Sequence, residues 1–113
     1  MKQVLVVCIV DNGFADMVMD AARSAGAKGG TIINARGSAR ADAEKKYKVS
    51  IHEDKDIVLI VADENIKDDI LHSIYHTTSL NSETHGVTFT MPIEDSVGFN
   101  TNVLSHQDLT DSE

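Results

Sequence analysis

Gly29-Gly30-Thr31-Ile32-Ile33-Asn34-Ala35-Arg36-Gly37 reads as a short apolar strand with two glycines at its mouth and Arg-Gly at its exit. A polar, cation-bearing loop follows, Ser38 to Ser50. A strand that opens into a long loop is a common way to present a recognition element on a rigid sheet. Glycines at such places permit close backbone approach or positive φ. Backbone N–H groups there can cradle a phosphate, and Arg36 and Arg40 are cations that could neutralise it. The plainer reading of Gly29, Gly30, Gly37 and Gly86 is tight turns at strand ends.

Working outward, Val4 to Val10 is a continuous, largely β-branched run that reads as a buried central strand. Asp11-Asn12-Gly13 is a turn signal, and Asp11 or Asn12 can cap the helix that follows. Phe14, Val18, Ala21, Ala22 and Ala25 recur at helical spacing, and Gly26 stands where a helix ends. Asp56 to Ala62 is another continuous apolar strand. Asp63-Glu64-Asn65 then caps a second helix whose face is Ile66, Ile70, Leu71, Ile74 and Tyr75. Gly86 to Met91 alternates as a fourth strand, closed by Pro92, and Ile93 to Phe99 can add a short edge strand. The order β-α-β-loop-β-α-β predicts an α+β, ferredoxin-like sandwich, with both helices on one face of an antiparallel sheet. The first and third strands are too apolar on both sides to face water. The open sheet face is therefore expected to be buried against other subunits, most simply in a closed ring.

The 113-residue length fits one domain. The predicted boundaries are 1–99 for the folded unit and 100–113 for an acidic flexible tail. A net charge of −8 argues against non-specific nucleic-acid binding, which needs a basic face. The charge is uneven. Residues 28–48 hold Lys28, Arg36, Arg40, Lys45, Lys46 and Lys48 against Asp42 and Glu44, a basic loop on an acidic body. That loop is either a solvated face or one that meets an anion or a partner. The lone cysteine, Cys8, excludes an internal disulfide framework and suits a reducing, cytoplasmic setting. The apolar run at Val4–Val10 is far too short to span a membrane, and no later apolar run is longer.

The sequence carries no nucleophile motif, and its adjacent acid pairs point apart, so no enzyme reading is supported. His72 and His76 lie four apart on the second predicted helix, a spacing that can hold a metal if His85 or Glu83 reaches in. Two exposed polar residues on a helix rim is the plainer reading.

Ala25-Gly26-Ala27-Lys28-Gly29-Gly30-Thr31, Ala35-Arg36-Gly37, Ile57-Val58-Leu59-Ile60-Val61-Ala62-Asp63, Gly86-Val87-Thr88-Phe89 and Pro92-Ile93-Glu94-Asp95 together resemble the PII nitrogen-regulatory superfamily, in its divergent PII-like branch. The match runs from about residue 3 to 99, and the order and spacing of these segments carry it. The resemblance implies a homotrimer that binds a small effector, typically an adenine nucleotide, in clefts between subunits. It also implies a T-loop, here 38–54, that docks on a protein target such as a membrane transporter or an enzyme of nitrogen metabolism. By position, Thr31, Arg36, Gly37, His85 and Gly86 fall on the ligand side. Ser38, Arg40, Lys45, Lys46, Tyr47 and Lys48 fall on the partner-facing loop. Nitrogen-sensing members carry a lysine before the last strand and two arginines near the C-terminus. Thr84-His85-Gly86-Val87 and Ser96-Val97-Gly98-Phe99 have none. That departure argues against tight ATP binding and leaves a nucleotide with less charge, a different small anion or no ligand at all as the readings. The alternative is a metal-responsive trimer similar to the CutA-type proteins, using His72, His76 or His85.

Overall fold

A computed structural model of the chain describes residues 2–38, 52–79 and 86–98. Strand β1 spans Gln3–Asp11, helix α1 Ala15–Ser24, β2 Thr31–Ser38 and β3 His52–Asp63. A 3₁₀ turn at Glu64–Ile66 leads into helix α2, Lys67–Ser79, and β4 is Val87–Ile93. The four strands form one antiparallel sheet in the order β2-β3-β1-β4. This is the ferredoxin-like βαββαβ fold read from the sequence.

The pairing register assigns every strand residue to a face. Val4, Val6, Cys8 and Val10 of β1 lie on the same face as Val58, Ile60 and Ala62 of β3. They bury against Val18, Met19, Ala21 and Ala22 of α1 and Ile70 and Ile74 of α2 to make the core. β-branched side chains from two central strands fill the pleat, while alanines let α1 approach closely. Burying each such aliphatic side chain contributes roughly 1.5–3 kcal/mol.

The opposite face carries Leu5, Val7 and Ile9 of β1, beside Ile57, Leu59 and Val61 of β3 and Val87, Phe89 and Met91 of β4. Ile33 of β2 continues the row. No element among the described residues covers it, and Val87, Phe89 and Met91 are 55%, 41% and 45% exposed. The two faces are thus both apolar, and only one has helices.

Several local expectations change. β2 and β3 run further than their apolar cores, because the ladder continues through Arg36↔Asp54, Gly37↔Glu53 and Ser38↔His52. Gly37 therefore sits inside a strand, not at a strand exit. Pro92 is within β4 and pairs with Val4, which an edge strand permits because its missing N–H need not serve a ladder. Residues 94–98 form no strand. Tyr75 is 71% exposed, outside the buried face of α2 that the helical spacing assigned to it.

The glycines divide by cause. Gly26 has φ 112° and closes α1: its N–H donates to the Arg23 carbonyl, and the Ala27 N–H donates to the Ala22 carbonyl. That pair of bonds is the Schellman cap expected of a glycine there. Gly30 and Gly86 have no such φ. A Cβ at Gly30 would lie 2.6 Å from the Leu59 carbonyl oxygen, and one at Gly86 2.5 Å from that of Ile9. Close approach to the neighbouring strand, not a tight turn, requires glycine at both.

Candidate functional site

β1 ends at Asp11, opposite Lys55 of β3, and two polar clusters occupy that end of the sheet. On the helix-bearing face, Asp56 is a carboxylate only 4% exposed. Its Oδ1 accepts from Asn12 Nδ2 and from Asn34 Nδ2, each at 3.0 Å, and its Oδ2 accepts from the Gly13 N–H at 3.1 Å. One side chain thereby ties the β1–α1 turn to both β2 and β3. Buried carboxylates persist when hydrogen bonds replace the lost water in this way. Asn12 is spent on this lock, so it does not cap α1. The N-cap position is Phe14, without a side-chain bond. The Asp63 carboxylate does cap, accepting from the Asn65 N–H at 3.1 Å.

On the open face, Lys55 Nζ donates to Asp11 Oδ1 at 2.5 Å and lies 3.4 Å from Glu53 Oε1. The hydrogen bond to Asp11 pushes the Lys55 ammonium up from its ordinary range, against the opposing effect of burial. A lysine whose folded pKa is raised contributes stability below its unfolded value, near 10.4, and loses it as pH rises through the folded one. Lys55→Met is therefore expected to lower stability by about 1 kcal/mol at neutral pH. Urea unfolding should find the difference gone well above pH 10.4; a difference that persists there would assign it to packing.

The residues singled out from the sequence separate into two groups. Thr31 and Gly37 share the open face of β2, opposite Leu59 and Glu53, while Arg36 is on the other face, opposite Asp54. Ser38 pairs with His52. Gly86 precedes β4 and packs on Ile9 and Val10. Arg36, Gly37 and Gly86 thus reach the same end of the sheet but on its two outer edges. Three strand spacings separate those edges, about 14 Å, so one protomer does not bring the residues together. Arg40, Lys45, Lys46, Tyr47, Lys48 and His85 lie outside the described residues, as do 100–113.

Gly86 also borders a cleft of about 260 Å³ between β1, β4 and α2, lined by Cys8, Val10, Leu71, Tyr75, Thr78 and Thr88. The Thr88 hydroxyl donates to Cys8 Sγ at 3.1 Å. Burial pushes the thiol up, and the Thr88 bond only partly offsets it. Cys8 is therefore a protonated wall of the cleft rather than a nucleophile. His72 and His76 of α2 are exposed and stack on each other. Among the described residues, no three His, Cys, Asp or Glu side chains gather to hold a metal. No described helix is long and apolar enough to cross a membrane.

The polar lock around Asp56 was not singled out in the sequence. Its signal is there: Asn34 and Asp56 are polar residues on the inward face of two otherwise apolar strands, and they pair directly in the ladder.

Comparison with known proteins places these features. The family model for Nitrogen regulatory protein P-II matches residues 1–102. No curated protein matches the chain significantly. Among solved structures, the GlnK–ATP complex of B. subtilis is similar with a TM-score of 0.67 at 15% identity, over 85% of this chain and 87% of that one. CPII of Thiomonas intermedia K12, a nitrogen regulatory PII-like protein bound to ADP, AMP and bicarbonate, is similar with a TM-score of 0.64 at 15% identity, over 88% and 98%. A PII-like signaling protein of Thermus thermophilus gives 0.62 at 15% identity, over 82% and 87%.

Proposed function

The chain belongs to the nitrogen regulatory protein P-II family, and from that premise we propose that it is a cytoplasmic trimeric sensor of an adenine nucleotide. It reports to a protein target, with a membrane transporter as the leading class, through the 38–54 segment. The family is one of regulators, not enzymes. The observation that carries the reading is the placement of Arg36 and Gly37 on one sheet edge and Gly86 on the other, at the same end. Head-to-tail copies, β2 edge against β4 edge, unite these residues in a cleft between subunits. A heterologous contact of this kind closes into a ring when its rotation divides the full circle, as three copies would require. The uncovered apolar face supplies a reason for the ring to form, because such a surface is costly in water.

GlnK of B. subtilis was solved with ATP, and CPII with ADP and AMP, which supports an adenine nucleotide as the effector class. The charge on this chain favours the smaller ones. Residues 94–98 offer Glu94 and Asp95 and no cation. Each charge-assisted bond absent from a triphosphate site forgoes about 1.5–3 kcal/mol. Calorimetry on the full chain is expected to show AMP or ADP binding at least as tightly as ATP. Failure of all three to bind below millimolar concentration overturns the effector reading.

A further inference from the structure

His72 and His76 belong to neither the sheet end nor the cleft. They stand one turn apart on the exposed side of α2, their rings stacked with centroids 6.4 Å apart and planes 10° from parallel. We infer that this pair is a cation site of its own: a two-imidazole chelate for a divalent transition ion, with Cu(II) the best fit. The helix is the reason. Side chains at i and i+4 share a face, so folding holds two imidazoles together before any metal arrives. A metal–nitrogen bond of about 2.0 Å lets one ion join rings whose centres lie roughly 6 Å apart or less. A modest turn about χ1 or χ2 of two solvent-exposed side chains closes that gap.

The donor set selects the metal. No third His, Cys, Asp or Glu joins the pair among the described residues, which disfavours a closed structural zinc site with four protein ligands. Two nitrogens with water in the remaining positions suit the tetragonal geometry of Cu(II), which also heads the affinity order of the divalent first-row ions. Asp68 and Asp69 lie in the first turn of the same helix. With the net charge of −8 they bias the local field toward cations. Neither histidine lines the cleft that Gly86 borders.

The test is a Cu(II) titration of the full chain, followed by calorimetry and by electron paramagnetic resonance. The wild type is expected to take up one ion in its tightest event, with hyperfine coupling to two imidazole nitrogens. His72→Ala combined with His76→Ala should weaken that event by about ten-fold or more, because a second ligand already tethered acts at high effective concentration. Each single variant should show coupling to one nitrogen fewer. Alanine is a better helix former than histidine, so circular dichroism of the variants should be unchanged. If the double variant binds Cu(II) as tightly as the wild type, the pair is a polar helix rim and the inference fails.

Discussion

Asp56→Ala should remove about 1–3 kcal/mol of folding stability, a sizeable share of the 5–15 kcal/mol typical of a domain. The loss does not come from the carboxylate's own contacts alone. Its removal takes the acceptor from the Asn12 and Asn34 amides and the Gly13 N–H, which belong to exposed residues that water can reach. A donor left unsatisfied in the interior costs about 1–3 kcal/mol; here all three donors sit on exposed residues, so water replaces part of what the carboxylate supplied. Partial entry of water into the space left behind sets the lower end of the estimate. Asp56→Asn keeps the shape and one oxygen, so it should fall between the wild type and the alanine variant. Urea unfolding of the three proteins measures this directly. A loss below about 1 kcal/mol for alanine would mean that the amides find other partners and that the lock is dispensable.

Leu59→Asp should convert the proposed ring into single chains without unfolding them. Leu59 lies at the middle of β3 on the uncovered face, with Val7 beside it on one strand and Thr31 on the other. In a ring closed over that face, the new carboxylate would be enclosed without a cation. An uncompensated buried charge costs several kcal/mol per copy, and a symmetric assembly meets that cost at every subunit. In a separated chain the same carboxylate lies on the uncovered face, where Leu59 is half-buried, away from the helix-covered core, and the far-ultraviolet spectrum should be preserved. Light scattering after gel filtration reads the outcome. A wild type that already runs as one chain would remove the basis for an inter-subunit cleft.

The apolar runs made the fold legible because their period and order leave few alternatives. Val4 to Val10 and Ile57 to Ala62 could only be central strands, and the i, i+4 spacing of Ile66, Ile70 and Ile74 could only be one helix face. Gly26 announced its cap. The ends of elements were harder to read. Arg36 to Ser38 and His52 to Asp54 are polar, so no periodicity signals that they pair. Backbone hydrogen bonding carries the ladder past the point where burial stops dictating sequence. Asp56 and Asn34 were missed for a related reason. Each is ordinary alone, and only register 34↔56 puts them side by side. Tyr75 fell outside its expected place because it meets the edge of the cleft rather than the middle of the core.

One consequence of the register concerns reach. The β1 ladder stops at Asp11↔Lys55, and the Asn12 N–H reaches only as far as the Asp54 carbonyl, at 3.2 Å. Gly37↔Glu53 and Ser38↔His52 are held from one side alone. Pairs held by a single neighbouring strand open at a smaller fraction of the global unfolding free energy than pairs inside the sheet. Each pair that opens would move the last paired rung of the described ladder back by about 3.3 Å, and each that re-forms would return it by the same step. The β2–β3 ladder would in that sense lengthen and shorten in discrete notches from its anchor at Asp56. Hydrogen exchange along residues 36–38 and 52–54 would record the notches.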